Sequence, residues 1–294
     1  TPLVFNNDVS KLLEEIKKTD VKTIGTIDAK NFVWPINREQ SLQLLDFFAE
    51  ECLQLFGSYQ DAMTPNEWSL YHSRISFSMN VKMISPKEVI DRAIEEWQKR
   101  PNEIEFNQLE GFVRQIIGWR EYVNGMYWFL GPNYRDNNQL EAKRKLLPLF
   151  TDSSKTQMNC IKQTVSDIEE RAWVHHIPRL MLLSNLALVT GTNPQEFLDW
   201  MREVFIDASE WVMVPNVIGM GVHADGGKIM TKPYAAGGAY ISRMSNYCKP
   251  CVYNPKLRTG DEACPFTTLY WDFLDRHKET FAKNHRMSQQ FFGL

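Results

Sequence analysis

The chain has 294 residues, with 33 Lys and Arg against 36 Asp and Glu and a formal net charge of −3. That balance excludes a uniformly basic nucleic-acid-coating protein but permits a local positive patch. Five cysteines are too sparse, and odd in number, for a small secreted disulfide framework, which favours metal or redox use. The longest apolar run, Leu180 to Val189, is interrupted by Ser184-Asn185 and falls short of the ~20 residues that cross a bilayer, and no leader peptide opens the chain. The expectation is a cytoplasmic protein without membrane contact. The start at Thr1, without methionine, suggests a processed product or a piece of something longer.

In chain order, Val9 to Lys18 carries Leu12, Leu13 and Ile16 on one helical face, and residues 1–36 otherwise read as a leading arm or linker. From Asn37 the spacing of Leu42, Leu44, Leu45, Phe48, Leu53 and Leu55 is helical and ends at Gly57. Ser85-Pro86 is a helix start, with serine as N-cap and proline at the first position, and predicts a helix over 86–99. Phe106 to Leu130 reads as one helix stopped by Gly131-Pro132. Helical patterns continue over Gln139–Phe150, Met158–Val174, Pro178–Thr190, Pro194–Val204 with Asn193 as cap, Phe205–Trp211 and Pro265–Asn284. Period-two strands, internal repeats and low-complexity tracts are absent, so the chain is predicted to be all-α.

Several groups carry chemistry. Ser73, Ser76 and Ser78 precede the 86–99 helix and suit phosphate oxygens, although capping and turn chemistry is the commoner use of such a cluster. Cys248-x-x-Cys251 and Cys264 supply three soft ligands, with Cys160 and Cys52 as candidates for a fourth. Spacing leaves structural zinc, an iron–sulfur cluster and no metal equally open. In Trp173-Val-His175-His176-Ile-Pro-Arg179 a helix would set both histidines on the face of Arg179. A neighbouring cation depresses an imidazole pKa and an anionic ligand restores it, so a histidine here can donate a proton, although packing is the commoner role of a His-His pair. Asp207, with Glu210 at the following turn, is the carboxylate that can pair with Arg179. Gly237 and Gly238 allow close backbone approach. The basic tail, Arg276 to Arg286, is read as a solvated helix end.

Together these segments resemble the photolyase/cryptochrome flavoproteins, specifically the prokaryotic iron–sulfur branch, along nearly the whole chain from Trp34 to Met287. His72-Ser-Arg-Ile-Ser-Phe-Ser-Met-Asn80 resembles the family's flavin-phosphate segment, Gly118-Trp-Arg-Glu-Tyr122 its Trp-Arg-Glu-aromatic helix, and Arg243-Met-Ser-Asn the segment after the flavin pocket. The resemblance implies a helical domain over 31–294 that binds FAD, preceded by a linker remnant over 1–30. Tyr71, His72, Ser73, Ile75, Ser76, Asn80, Trp119, Arg120, Trp173, Arg179, Asp207 and Met213 would line the cofactor. Arg179 and Asp207 match the ion pair beside the flavin ring, and His176 matches the histidine of the (6-4) enzymes. Cys160, Cys248, Cys251 and Cys264 match the four ligands of the branch's [4Fe-4S] cluster, which leaves Cys52 over.

The implied activity is light-driven repair of (6-4) photoproducts in UV-damaged DNA by a monomer, with His176, His175 and Tyr234 acting on the lesion. Three departures from the pattern stand out. Met213 occupies a position that is polar in relatives. Trp200 matches one relay tryptophan, but Met201 follows it and no tryptophan precedes Thr156-Gln-Met-Asn-Cys160. The family's N-terminal α/β antenna domain, which holds a ribityllumazine, has no counterpart in residues 1–36, so that chromophore is expected only in a full-length protein. A blue-light receptor without repair activity is the second reading, and a metal-stapled helical nucleic-acid-binding module the third.

Overall fold

The structure, a computed structural model, describes all residues from 1 to 294, and its elements are helical. Strand pairing is confined to isolated bridges such as Asn7 with Phe32. The helices are α1 (Ser10–Lys17), α2 (Arg38–Phe47), α3 (Leu53–Tyr59), α4 (Ser76–Asn80), α5 (Pro86–Lys99), α6 (Phe106–Val113), α7 (Glu121–Leu130), α8 (Asn159–Arg171), α9 (Asn185–Thr190), α10 (Pro194–Val204), α11 (Glu210–Val214), α12 (Gly238–Met244), α13 (Pro265–Arg276) and α14 (Lys278–Phe281). Where capping chemistry is explicit, the boundaries fall where the sequence puts them. Ser85 accepts from the Glu88 amide while Glu88 reaches back to Ser85, a complete capping box at the start of α5. Asn193 caps Gln195 and Glu196 at the start of α10.

Four π-helical stretches join or extend these helices: Phe48–Cys52, Arg114–Arg120, Pro178–Ser184 and Pro215–Gly221. Each widens the turn and rotates the following residues to a new face, as π-bulges at functional sites commonly do. Phe106 to Leu130 is thus one continuous helical rod, as expected, but with a shifted face in its middle.

Two predicted helices are corrected. Residues 139–147 are a turn, closed by the Glu141 amide on the Asn138 carbonyl, followed by non-helical chain; Gln139 bonds the Ala224 carbonyl and Arg144 the Gly191 carbonyl, and only Pro148–Phe150 forms a 3-10 turn. The segment's apolar residues Leu146, Leu147, Leu149 and Phe150 still pack on the larger core. Residues 205–209 form a turn whose Ile206 amide bonds the Ala172 carbonyl, so Asp207 stands ahead of α11 and off any helix.

Two main apolar cores divide the molecule, with a satellite of six buried residues around Phe273 and Phe281 beside them. The larger gathers α8, the 178–184 turn, α10, α11 and Phe266, and the smaller packs α2, α3, α5 and α6 around Phe48, Phe56 and Phe112. The arm read as linker lies along this body: Arg74 donates to the Leu3 carbonyl, Asn7 to the Trp34 carbonyl, and the Thr26 amide to Glu169. No helix is long and apolar enough to cross a membrane.

Candidate functional site

A cavity of about 550 Å³ lies at the seam between the two cores, with Phe56, Phe112 and Ile116 on one side and Val174, Leu180 and Met220 on the other. Its position follows from local chain geometry. Ala172 ends α8 in the left-handed region (φ 53), and the chain then runs extended through Trp173 to His175 before turning helical at His176. The Ile206–Ala172 hydrogen bond pins the Asp207 turn beside that exit, which brings Asp207 to Arg179, 28 positions away in the chain.

Arg179 Nη1 meets Asp207 Oδ1 at 2.8 Å and Nη2 meets Oδ2 at 3.2 Å, a bidentate pair at the cavity wall. Arg179 Nε donates to the Val174 carbonyl, and its guanidinium lies 4.0 Å from the Phe205 ring centre. Ser76 Oγ donates to Asp207 Oδ2 at 2.6 Å, Asn80 Nδ2 to the Asp207 carbonyl, and Arg120 Nη1 to Asn80 Oδ1. Arg120 is braced against the Trp211 ring at 4.6 Å. The serine and asparagine expected to serve phosphate oxygens are thus tied, in this state, into one network running from Arg120 to Arg179.

Three imidazoles face the same space. The rings of His72 and His175 stack at 4.2 Å and 18°, and His175 Nδ1 accepts the Ile177 amide, which leaves the ring proton of neutral His175 on Nε2. His176 is more than a third exposed, but its exposure is to the walled cavity and not to bulk solvent. Burial, with His176 and Arg179 adding their charges, pushes His72 down to about 4. Burial, then Arg179, does the same to His176, and His175 is lowered chiefly by burial. All three are therefore neutral near pH 7. Tyr234 stands half-buried on the cavity lining, its phenol pushed up by burial.

His72, Ser73, Ser76, Asn80, Trp119, Arg120, Trp173, His175, His176, Arg179, Asp207 and Tyr234 all line the cavity. Three expected residues do not, and are corrected. Met213 is buried in the larger core, and Val212 and Asn216, four residues apart on one helical face, line the cavity in its place. Ile75 is fully enclosed in the smaller core, and Tyr71 tilts against Tyr59. Sequence reasoning missed Asp61, Arg74, Gln115 and Trp211 on the lining; none lies in a pattern that marks it, except that Arg74 sits inside the His72–Asn80 motif with φ 56.

Trp200 is buried among Phe150, Phe197 and Phe205, away from the cavity lining, and its indole Nε1 has no acceptor. A second cavity, of about 260 Å³ between residues 138–144 and Arg276–His277, gathers none of the expected residues.

Cys160, Cys248, Cys251 and Cys264 line a separate small apolar cavity with Met158, Ile241, Tyr247 and Tyr253. No group of three or more side chains converges as around a single ion. Burial first, and then the neighbouring sulfurs, push the Cys160 and Cys248 thiols up, and burial raises Cys264. Cys52 lies elsewhere, in the smaller core, at about 11 through burial. Helix α12 separates the two cavities, with Tyr240 on the first and Ile241 on the second.

No family model matches the chain. It is 45% identical over 291 residues to the (6-4) photolyase of Agrobacterium fabrum, which covers 99% of this chain and 56% of that protein. Two mimivirus proteins named as uncharacterized, R855 and R853, are each 32% identical over 101 and 79 residues, covering 34% and 27% of the chain and 75% and 60% of their own lengths. The crystal structure of a bacterial class III photolyase from Agrobacterium tumefaciens superposes with a TM-score of 0.56 at 17% identity, over 84% of this chain and 56% of that one. The chain thus spans about half the length of the photolyases it matches.

Proposed function

Because the chain belongs to the photolyase/cryptochrome family, we propose that it is the flavin-binding part of a light-driven repair enzyme for (6-4) photoproducts in DNA. The observation that carries this reading is the convergence of the Arg179–Asp207 pair and His176 on one cavity. Its volume lies in the range of cofactor pockets, and its lining residues His72, Arg74 and Arg120 each hold a buried nitrogen without a protein partner. Those cationic and orphaned donors suit an anionic, hydrogen-bonding cofactor, so the residues present fit FAD. When bound, FAD supplies one-electron chemistry on illumination.

The residues around it have separable tasks. Asp207 fixes Arg179 at the wall, and Phe205 and the Val174 carbonyl fix the guanidinium plane. His176 presents its imidazole to a base flipped out of the duplex into the cavity. Being neutral at rest, it gains the proton it would pass on only as negative charge enters beside it. His175, with Nδ1 occupied by the Ile177 amide, holds Nε2–H as a donor. Tyr234 bounds the same space.

For the four cysteines, the donor set and the apolar walls suit a thiolate-bound metal site. Four cysteines around one apolar cavity, in the pattern of the iron–sulfur branch, suit an iron–sulfur cluster. Purified protein is expected to carry flavin and about four iron atoms per chain. Stoichiometric zinc without flavin would overturn the reading. His176→Ala is expected to retain flavin and iron while repair is lost, and unimpaired repair would show that another group is the acid.

A further inference from the structure

The second cavity has no task in the proposed repair chemistry and shares no lining residue with the seam cavity. It encloses about 260 Å³ between residues 138–144, the end of α9 and the end of α13. Its walls are tied to one another. The Asn138 side chain bonds both the carbonyl and the amide of Ala142. The Arg144 amide bonds the Gly191 carbonyl, and the Arg144 carbonyl accepts the Asn193 amide. Arg276 Nη2 donates to the Val189 carbonyl at 2.6 Å and so joins α13 to α9. The cavity is therefore preformed, as small-molecule sites usually are.

Its lining divides by chemistry. Leu140, Ala142, Ala187, Leu188 and Val222 supply apolar surface, while Lys143, Arg144, Arg276 and His277 gather at the same space. Arg276 is fixed by Asp272 at Nε and by Val189 at Nη2, which leaves Nη1, 3.5 Å from His277 Nε2, with a hydrogen to give. Gly191 ends α9 in the left-handed region, and a Cβ there would stand 3.6 Å from that Nη1. Glycine thus leaves the edge of the guanidinium uncovered. His277 is seated against Phe273, with ring centres 4.8 Å apart. Lys143 is offset by Glu141 and Arg276 by Asp272, whereas Arg144 enters no ion pair, so one positive charge is left over. The hydroxyls of Thr190 and Thr192 bond each other and the Leu186 carbonyl, so the free donors here are the cations.

We propose that this cavity binds a small organic phosphate, its phosphoryl group on Arg276, Arg144 and His277 and its carbon body against Leu188 and Val222. A guanidinium matches phosphate oxygens two at a time, and a phosphomonoester brings about −1.5 to −2 charges at pH 7. Burial, then Arg276, lowers the His277 pKa, and a dianion beside it offsets the second of these. The volume lies just below the ~300–1,000 Å³ of drug-sized ligand pockets, which suits a compact ligand and excludes a dinucleotide.

Titration calorimetry of the purified chain at low ionic strength, with glycerol 3-phosphate and inorganic phosphate as probes, tests this. Saturable one-site binding of glycerol 3-phosphate is expected, tighter than that of inorganic phosphate. Arg144→Gln and Arg276→Gln are each expected to weaken it about tenfold or more, and Arg114→Gln, which lies at neither cavity, to leave it unchanged. Arg276 also holds α13 to α9, so Arg144→Gln, which removes no ion pair, is the deciding variant. No binding of either probe, or unchanged affinity in Arg144→Gln, would overturn the site. Equal affinity for the two probes would overturn the contact with the carbon body. Displacement of glycerol 3-phosphate by an undamaged DNA duplex would show that the cavity takes backbone phosphate, and would overturn the claim of a free small ligand.

Discussion

Asp207→Ala tests the organisation of the seam cavity most sharply. The Asp207 side chain is 8% exposed and its carboxylate receives two hydrogen bonds from Arg179 and one from Ser76. Alanine would leave Arg179, whose side chain is 14% exposed, as a nearly buried cation without a counter-charge. Breaking such a pair from one side costs about 3–5 kcal/mol. The Val174 carbonyl and the Phe205 ring still hold the guanidinium, which places the expected loss toward the lower end, about 3 kcal/mol. Asp207→Asn keeps the shape and one acceptor, and its loss of charge-assisted bonds is expected to cost about 1.5–3 kcal/mol. Urea denaturation of both variants, read by far-ultraviolet circular dichroism with the slope checked for constancy, provides the measurement. If Asp207→Ala lost less than about 1 kcal/mol, the value typical of an exposed pair, the claim that this pair anchors the cavity would be refuted.

Other outcomes rest on the same structure. A Cβ at Gly238 would lie 2.9 Å from Cys264 Sγ and from Thr267 Oγ1, so Gly238→Ala is expected to destabilise by about 1–3 kcal/mol through overpacking and to lower iron content measured on the purified protein. Ser85→Ala removes half of the α5 capping box and is expected to cost about 1 kcal/mol in urea. His72 and His176, both at about 4 against an ordinary 6.5, bind fewer protons folded than unfolded between those values. Their contribution is therefore fully present above pH 6.5 and lost as pH falls toward 4. Urea midpoints in that window are expected to drop with acidification, less steeply in His72→Gln, and an unchanged slope in that variant would contradict the burial argument.

How much of this was legible beforehand depended on whether local chemistry or tertiary contact set each feature. The starts of α5 and α10 follow from Ser85-Pro86 and Asn193-Pro194, because capping is decided within four residues. The 139–147 stretch has the apolar content of a helix, yet its amides pair with Ala224 and Gly191, partners that no local pattern announces. Asp207 was placed on a helix for the same reason, while the Ile206–Ala172 bond that takes it off the helix joins distant segments.

The site residues separate in the same way. Motif resemblance located Arg179, Asp207, Ser76 and the four cysteines in two cavities, because side-chain type at fixed spacing carries that information. It misplaced Met213, whose neighbours Val212 and Asn216 face the cavity on a helix that runs on into a π-helical turn at Pro215. Met213 itself precedes that turn, and which face of the short α11 meets the core is set by tertiary packing that no sequence period marks. The second cavity was invisible for a simpler reason: its walls lie far apart in the chain and belong to no shared motif.

The most direct test of the central claim is illumination of the chemically pre-reduced, flavin-loaded chain with an oligonucleotide carrying one (6-4) photoproduct. Pre-reduction makes the outcome independent of any relay. The account predicts light-dependent loss of the lesion with recovery of the intact bases in the wild type, and none in His176→Ala. Bound flavin and bound oligonucleotide with no lesion loss under light would contradict it and favour a photoreceptor.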